Sequence, residues 1–131
     1  MNKKLKVGII GCGGIANGKH MPALKQVPGV EMVAFCDIVE ERAVKAAKDF
    51  GTPDAKVYVD YKEPLKDESI DVVHVCTPNR EHSFITVDAL EAGKHVYCEK
   101  PMAKTYAEGK AMLAAAKRTG KRLTIGYQNR Q

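Results

Sequence analysis

Short apolar runs alternate along the chain with stretches of helical periodicity. The apolar runs are rich in β-branched residues and nearly continuous, which is typical of strands buried on both faces of a parallel sheet. They predict six strands, at residues 5–10, 30–37, 55–60, 71–78, 95–101 and 122–130. The stretches between them predict helices over residues 14–27, 40–51, 80–93 and 105–120. The repeated order predicts an α/β fold, a doubly wound and mainly parallel six-stranded sheet with helices on both faces.

Composition narrows the range of partners. The 131 residues are enough for one domain with one core of ordinary size, and 44% of them are hydrophobic, as in soluble globular chains. Crossing a bilayer takes an apolar run of about 20 residues, and the sequence has none. The net charge is +5, but the basic residues are scattered among 16 acidic ones. We therefore expect neither a nucleic-acid partner nor a membrane partner.

The cysteines give no metal or redox motif. Cys12, Cys36, Cys76 and Cys98 lie far apart, and no two of them form a C-x-x-C pair. Thiols at apolar positions usually behave as small buried hydrophobic groups. The pattern therefore predicts no metal site and favours a reducing, cytoplasmic location.

The segment VGIIGCGGIANGKH, residues 7–20, fits three different functions at first sight. A lipoprotein signal peptide needs an apolar region of about 7–15 residues before its cysteine, but Lys6 lies too close to Cys12 for that. A P-loop needs Ser or Thr after its lysine to bind Mg²⁺, and His20 follows Lys19 instead. The pattern that remains is the G-x-G-x-x-G/A turn of dinucleotide-binding domains.

This turn has the sequence context that it requires, because it follows a predicted strand and opens a predicted helix. Gly11 would permit the tight turn, Gly13 would let the backbone approach a pyrophosphate, and Ala16 would let the helix pack closely on the strand. The amides of Gly14 and Ile15, at the start of the helix, would face the phosphates.

Asp37 adds a second signal, since it ends the predicted second strand. A ribose-binding acid is expected there, about 20 residues after the glycine turn. Its carboxylate could accept both hydroxyls of an adenosine ribose and would repel a 2′-phosphate. The next residue is Ile38 rather than Arg, which favours NAD as the cofactor over NADP. The alternative role for Asp37 is to cap a turn.

Six segments of the chain, taken in order, resemble one known family. VGIIGCGGIA, HMPAL, FCD, VCTPNREH, GKHVYCEKPMA and IGYQNR are similar to the N-terminal domain of the glucose–fructose oxidoreductase/inositol dehydrogenase/MocA family. The resemblance spans essentially the whole chain, and EKP, at residues 99–101, is its most specific element. It implies an NAD(P)-binding Rossmann domain from an enzyme that oxidises or reduces a carbinol carbon of small-molecule sugars, inositols or related polyols.

The resemblance also implies roles for individual residues. Glu99 and Lys100 match the motif beside the nicotinamide, and the family's lysine contacts the reacting hydroxyl, so Lys100 is the predicted catalytic residue. An ammonium there would stabilise developing alkoxide charge and could relay a proton. The loop along the cofactor and the helix behind it are matched by Thr77, Pro78, Asn79 and His82.

The family's C-terminal α/β substrate domain has no counterpart in these 131 residues. The chain also stops directly behind a predicted strand. We therefore expect residues 1–131 to be the Rossmann domain of a longer protein that forms a homo-oligomer through the absent domain. By itself this domain should bind cofactor with little or no turnover. The alternative is a non-catalytic Rossmann module that senses NAD(H) or supports assembly, and nucleoside-triphosphate binding is a weaker third possibility.

Overall fold

The computed structural model describes residues 5–12, 21–76, 82–99 and 106–126. The strands are β1 (Leu5–Ile10), β2 (Val30–Cys36), β3 (Lys56–Tyr58), β4 (Val72–Val75), β5 (His95–Glu99) and β6 (Leu123–Gly126). The helices are α1 (Met21–Lys25), α2 (Glu40–Phe50), α3 (Lys62–Leu65), α4 (His82–Glu91) and α5 (Tyr106–Thr119). Each predicted strand and helix has a counterpart, and α3 is additional.

The six strands form one sheet in the order β3-β2-β1-β4-β5-β6. Every pair of neighbouring strands is parallel, so all six strands end at the same side of the sheet, here called the carboxyl edge. The strand order reverses between β1 and β4. In open α/β sheets a ligand binds beyond the carboxyl ends of the strands at such a reversal. The predicted doubly wound α/β fold is confirmed.

The sheet is covered on both faces, because successive residues of a strand point to opposite sides. Ile9 and Phe35 pack with α1 and α2 on one face. Ile10 and Cys36, the next residues of the same two strands, belong to the core on the other face, with α4 and α5. This alternation between two apolar cores explains why the strands read as continuous apolar runs.

The structure corrects several predicted boundaries. Helix α1 ends at Lys25 rather than at residue 27. The fourth strand ends at Val75, before the predicted limit at residue 78. The predicted helix starts at residues 14, 80 and 105 and the predicted strand ends at residues 101 and 130 lie outside the described residues.

The third predicted strand, residues 55–60, is shortened because the chain turns into α3. The Asp60 Oδ1 atom accepts the Lys62 N–H at 2.9 Å, and the Asp60 carbonyl accepts the Glu63 N–H at 3.0 Å. These two bonds start a helical turn in place of further strand pairing. Pro64 is compatible with the turn because the first N–H groups of a helix have no partner within the helix.

A buried lysine lies at the side of the sheet opposite the carboxyl edge. Lys94 is 3% exposed, and its Nζ donates a hydrogen bond to the Asp67 carbonyl at 2.5 Å. Burial lowers the pKa of Lys94, although the nearby carboxylates of Asp67 and Asp71 act in the opposite direction. The loop before β4 is thus fastened to the start of β5 by a desolvated ammonium group.

Candidate functional site

The ends of three central strands are joined at the carboxyl edge by backbone hydrogen bonds. The Gly11 N–H, just after β1, donates to the Cys36 carbonyl at the end of β2, at 2.8 Å. The Cys76 N–H, just after β4, donates to the Ile10 carbonyl, also at 2.8 Å. These bonds hold the start of the glycine turn between the ends of β2 and β4, where the strand order reverses.

Gly11 has a backbone conformation that favours glycine. Its φ angle is +94°, a region in which the Cβ of other residues is crowded by the backbone. The predicted tight turn therefore begins where the sequence places it. The other predicted members of the turn, Gly13, Gly14, Ile15 and Ala16, lie outside the described residues.

Asp37 directly follows β2 and connects three segments of the edge. Its Oδ2 atom accepts the Cys12 N–H at 2.8 Å, and its Oδ1 atom accepts the Val39 N–H at 2.8 Å. Its own N–H donates to the Tyr58 carbonyl at the end of β3, at 3.1 Å. The residue is 8% exposed. Asp37 thus caps a turn, as the alternative interpretation predicted, and it also lies at the strand end predicted for a ribose-binding acid.

The remaining hydrogen-bonding capacity of Asp37 fits a ribose. An ionised carboxylate has about four acceptor sites, two on each oxygen. The amides of Cys12 and Val39 take one site on each oxygen. Counting only donors among the described residues, one acceptor site is left on each oxygen, which matches the two neighbouring hydroxyls of an adenosine ribose.

Two thiols lie directly behind this carboxylate. Cys12 and Cys36 are both buried, and the Cys12 Sγ donates to the Cys36 carbonyl at 3.5 Å. Burial, followed by the negative charge of Asp37, raises the pKa of each thiol to about 12. At neutral pH both side chains are therefore uncharged and serve as apolar support for the turn.

Ile38 presents an apolar side chain to solvent beside Asp37. It is 82% exposed, and it lies in the turn that Asp37 closes onto Val39. An exposed isoleucine next to a buried carboxylate gives this part of the edge an apolar surface beside a hydrogen-bond acceptor.

The other predicted site residues are described only in part. His82 is the first residue of α4, and Glu99 is the last residue of β5, paired with Gly126 of β6. Glu99 therefore also lies at the carboxyl edge, in the strand next to β4. Lys100, Thr77, Pro78 and Asn79 lie outside the described residues, so their predicted roles remain predictions.

The structure adds two groups that the sequence analysis did not include, the backbone amides of Cys12 and Val39. The Val39 contact could have been anticipated, because an aspartate often accepts the N–H two residues further on. The Cys12 contact joins residues 25 positions apart, and no local pattern indicates it. Within the described ranges no cluster of three or more metal-ligating side chains occurs, and no helix there is long and apolar enough to cross a membrane.

Comparison with known proteins agrees with this arrangement. Residues 5–127 match the Gfo/Idh/MocA family, an oxidoreductase family with an NAD-binding Rossmann fold. The chain belongs to this family. The resemblance stated from the sequence motifs is therefore confirmed, and the domain is an NAD-binding Rossmann domain.

Individual members of the Gfo/Idh/MocA family support the same assignment. An inositol 2-dehydrogenase of Salmonella paratyphi B is 41% identical over 127 residues, which cover 96% of this chain and 38% of the enzyme. The WlbA dehydrogenase of Bordetella pertussis, solved with NADH and UDP-GlcNAcA, has a TM-score of 0.89 and 30% identity, over 99% of this chain and 37% of that one.

A third member was solved with the other nicotinamide cofactor. KijD10, a 3-ketoreductase of Actinomadura kijaniata in complex with NADP and TDP-benzene, has a TM-score of 0.88 and 30% identity, over 95% of this chain and 37% of that one. NAD is thus the supported cofactor of the family's domain, and NADP also occurs among its relatives. The chain spans less than two fifths of the length of each of these three proteins.

Proposed function

We propose that the chain is the NAD-binding domain of an oxidoreductase that acts on a carbinol carbon of a sugar, inositol or related polyol. The observation that carries the proposal is Asp37, a buried carboxylate beside the start of the glycine turn, each of whose oxygens accepts one backbone N–H from the described residues and can accept a second hydrogen bond. The inositol 2-dehydrogenase that matches this chain over 127 residues supports the substrate class.

NAD, when bound, supplies the nicotinamide carbon that accepts or returns a hydride. The contribution of this chain is to hold and orient the dinucleotide. Asp37 would accept the hydroxyls of the adenosine ribose, Ile38 would provide an apolar surface for the adenine, and the turn that begins at Gly11 would hold the diphosphate. The negative charge of Asp37 would disfavour a 2′-phosphate and therefore NADP.

Lys100 is the proposed catalytic residue. It follows Glu99, whose position at the end of β5 lies on the carboxyl edge. An ammonium group at the reacting oxygen would stabilise the charge that develops as the carbinol loses its proton and hydride. The similarity of EKP, residues 99–101, to the motif of the Gfo/Idh/MocA family supports this role.

The part of the site that selects the substrate is proposed to lie in a second domain, outside these 131 residues. The support is that the chain covers 38% of the inositol 2-dehydrogenase that it matches. We further propose that the protein forms a homo-oligomer through the same second domain. By itself the chain should bind NADH and show little or no turnover.

Titration of the chain with NADH, followed by the fluorescence of the nicotinamide, tests the cofactor assignment. We expect a saturable signal, and the absence of any signal at millimolar NADH would contradict the proposal. A second assay mixes the chain with NAD and either myo-inositol or glucose and follows NADH absorbance. Turnover above the rate without protein would show that the 131 residues already contain a complete site. An intact protein that binds NADH but oxidises no polyol would favour the non-catalytic alternative.

A further inference from the structure

We infer that Asp37 is a positioning residue for the diphosphate-binding turn, in addition to its proposed contact with the ribose. This inference rests on the proposed function, because it concerns how the same cofactor would be held. One carboxylate thereby couples the two halves of the nucleotide site, the ribose end and the phosphate end.

The geometry of the turn carries the inference. The Gly11 N–H is bound to the Cys36 carbonyl at 2.8 Å, and the next amide, that of Cys12, is bound to the Asp37 carboxylate at 2.8 Å. Two successive amides of the turn thus point at the end of β2. The Cys12 side chain is completely buried in the core that includes residues of α1 and α2, so Cys12 is also fixed by packing.

The Cys12 contact distinguishes Asp37 from an ordinary turn-capping aspartate. Asp67 accepts the Ser69 N–H at 2.9 Å, which is the same local contact that Asp37 makes with Val39. The second oxygen of Asp37 reaches an amide 25 residues away in the glycine turn. Any shift of the Asp37 carboxylate toward a ribose is therefore transmitted to the backbone that leads into the turn.

Both oxygens of the Asp37 carboxylate are needed, because each accepts the N–H of a different residue. A carboxylate presents an acceptor to both amides, and each bond is strengthened by the charge. Asparagine has one oxygen and no charge, so Asp37→Asn sets an NH₂ group against one of the two N–H groups and weakens the bond to the other by removing its charge assistance. The variant keeps the size of the side chain and removes one of the two anchors.

The test compares the affinities of two ligands for two proteins. ADP and 2′,3′-dideoxy-ADP are titrated calorimetrically into the wild-type chain and the Asp37→Asn variant. Dideoxy-ADP carries the diphosphate but no ribose hydroxyls, so it detects only the effect on the turn. We expect Asp37→Asn to weaken dideoxy-ADP by about tenfold, equivalent to about 1.4 kcal/mol, and to weaken ADP by more. An unchanged affinity for dideoxy-ADP would overturn the inference and leave the ribose contact intact.

A spectroscopic readout separates positioning from a general loss of structure. Amide hydrogen exchange of the ligand-free chain should be faster at Cys12 in Asp37→Asn, while amides of the β4–β5 pairing keep their protection. Equal protection of Cys12 in both proteins would contradict the inference.

Asp67→Asn is the matched control, since it alters a carboxylate with the same local contact at the opposite side of the sheet. It should leave the affinities for both nucleotides unchanged. Failure of the proposed function itself looks different, because wild-type protein would then bind neither ADP nor NADH.

Discussion

Replacing Asp37 by alanine should change which nicotinamide cofactor the chain prefers. The carboxylate has about four acceptor sites, and the Cys12 and Val39 amides occupy two of them at 2.8 Å. At most two acceptor sites are therefore available to the ribose of NADH. Asp37→Ala removes both and also removes the negative charge beside the 2′ position.

The expected magnitude follows from these two contributions. A hydrogen bond to a charged group contributes about 1.5–3 kcal/mol, so loss of even one of the two ribose contacts should weaken NADH by about 10- to 100-fold, and loss of both by more. NADPH carries a phosphate at the 2′ position and loses no such bond, while it gains from the removal of a like charge. Disturbance of the turn weakens both cofactors alike, because they share the same diphosphate. The ratio of the two dissociation constants should therefore move toward NADPH by about tenfold or more.

Fluorescence titration of both reduced cofactors, with wild-type protein and Asp37→Ala, measures this ratio. Asp67→Ala serves as the control, because its carboxylate contacts Ser69 in the loop before β4, away from the carboxyl edge. Equal losses of NADH and NADPH affinity in Asp37→Ala would refute a ribose contact at this residue. A circular-dichroism melt of each variant establishes that the comparison is made on folded protein.

Three other predictions concern stability and reactivity. Gly51→Ala should lower the free energy of unfolding by about 1–3 kcal/mol, because the new Cβ would lie 2.7 Å from the Phe35 ring; an unchanged urea midpoint would contradict this. Because burial lowers the pKa of Lys94, the free energy of unfolding of the wild-type chain should rise with pH up to the lysine pKa of the unfolded chain, 10.5. Lys94→Met should remove this rise, and the same pH dependence of the urea midpoint in both proteins would disprove it. Cys12 and Cys36, with pKa values raised to about 12, should resist iodoacetamide at pH 8 in the folded chain, and peptide mass spectrometry would show rapid labelling if this is wrong.

The sheet could be predicted from the sequence because each strand satisfies the same physical requirement. Ile9 and Ile10 face opposite cores, as do Phe35 and Cys36, so both positions of each pair must be apolar. A continuous apolar run bounded by polar residues is then enough to indicate a buried strand. Helix α3 was missed because four residues, one of them Pro64, give no periodicity to detect.

Prediction of the site was limited by contacts between distant residues. The position of Asp37 and the turn at Gly11 followed from the spacing of a known pattern. The bond from Cys12 to Asp37 depends on the register of β1 against β2, which pairs Ile10 with Cys36. That register is a property of the assembled sheet, so the sequence could identify Asp37 as a ligand-binding acid but not as a support of the turn.

The central place of β1 also bears on how the chain folds. The segments that directly follow β1 and β2 are joined by the bond from Cys12 to Asp37, 25 residues apart. Lys6 of β1 is joined to Asp71, directly before β4, across 65 residues. The longer closure costs more chain entropy, by about 1 kcal/mol, and we expect it to follow the formation of the two more local halves. Because the carboxyl edge needs β1, β2 and β4 together, NADH binding followed during refolding should begin only with this last closure.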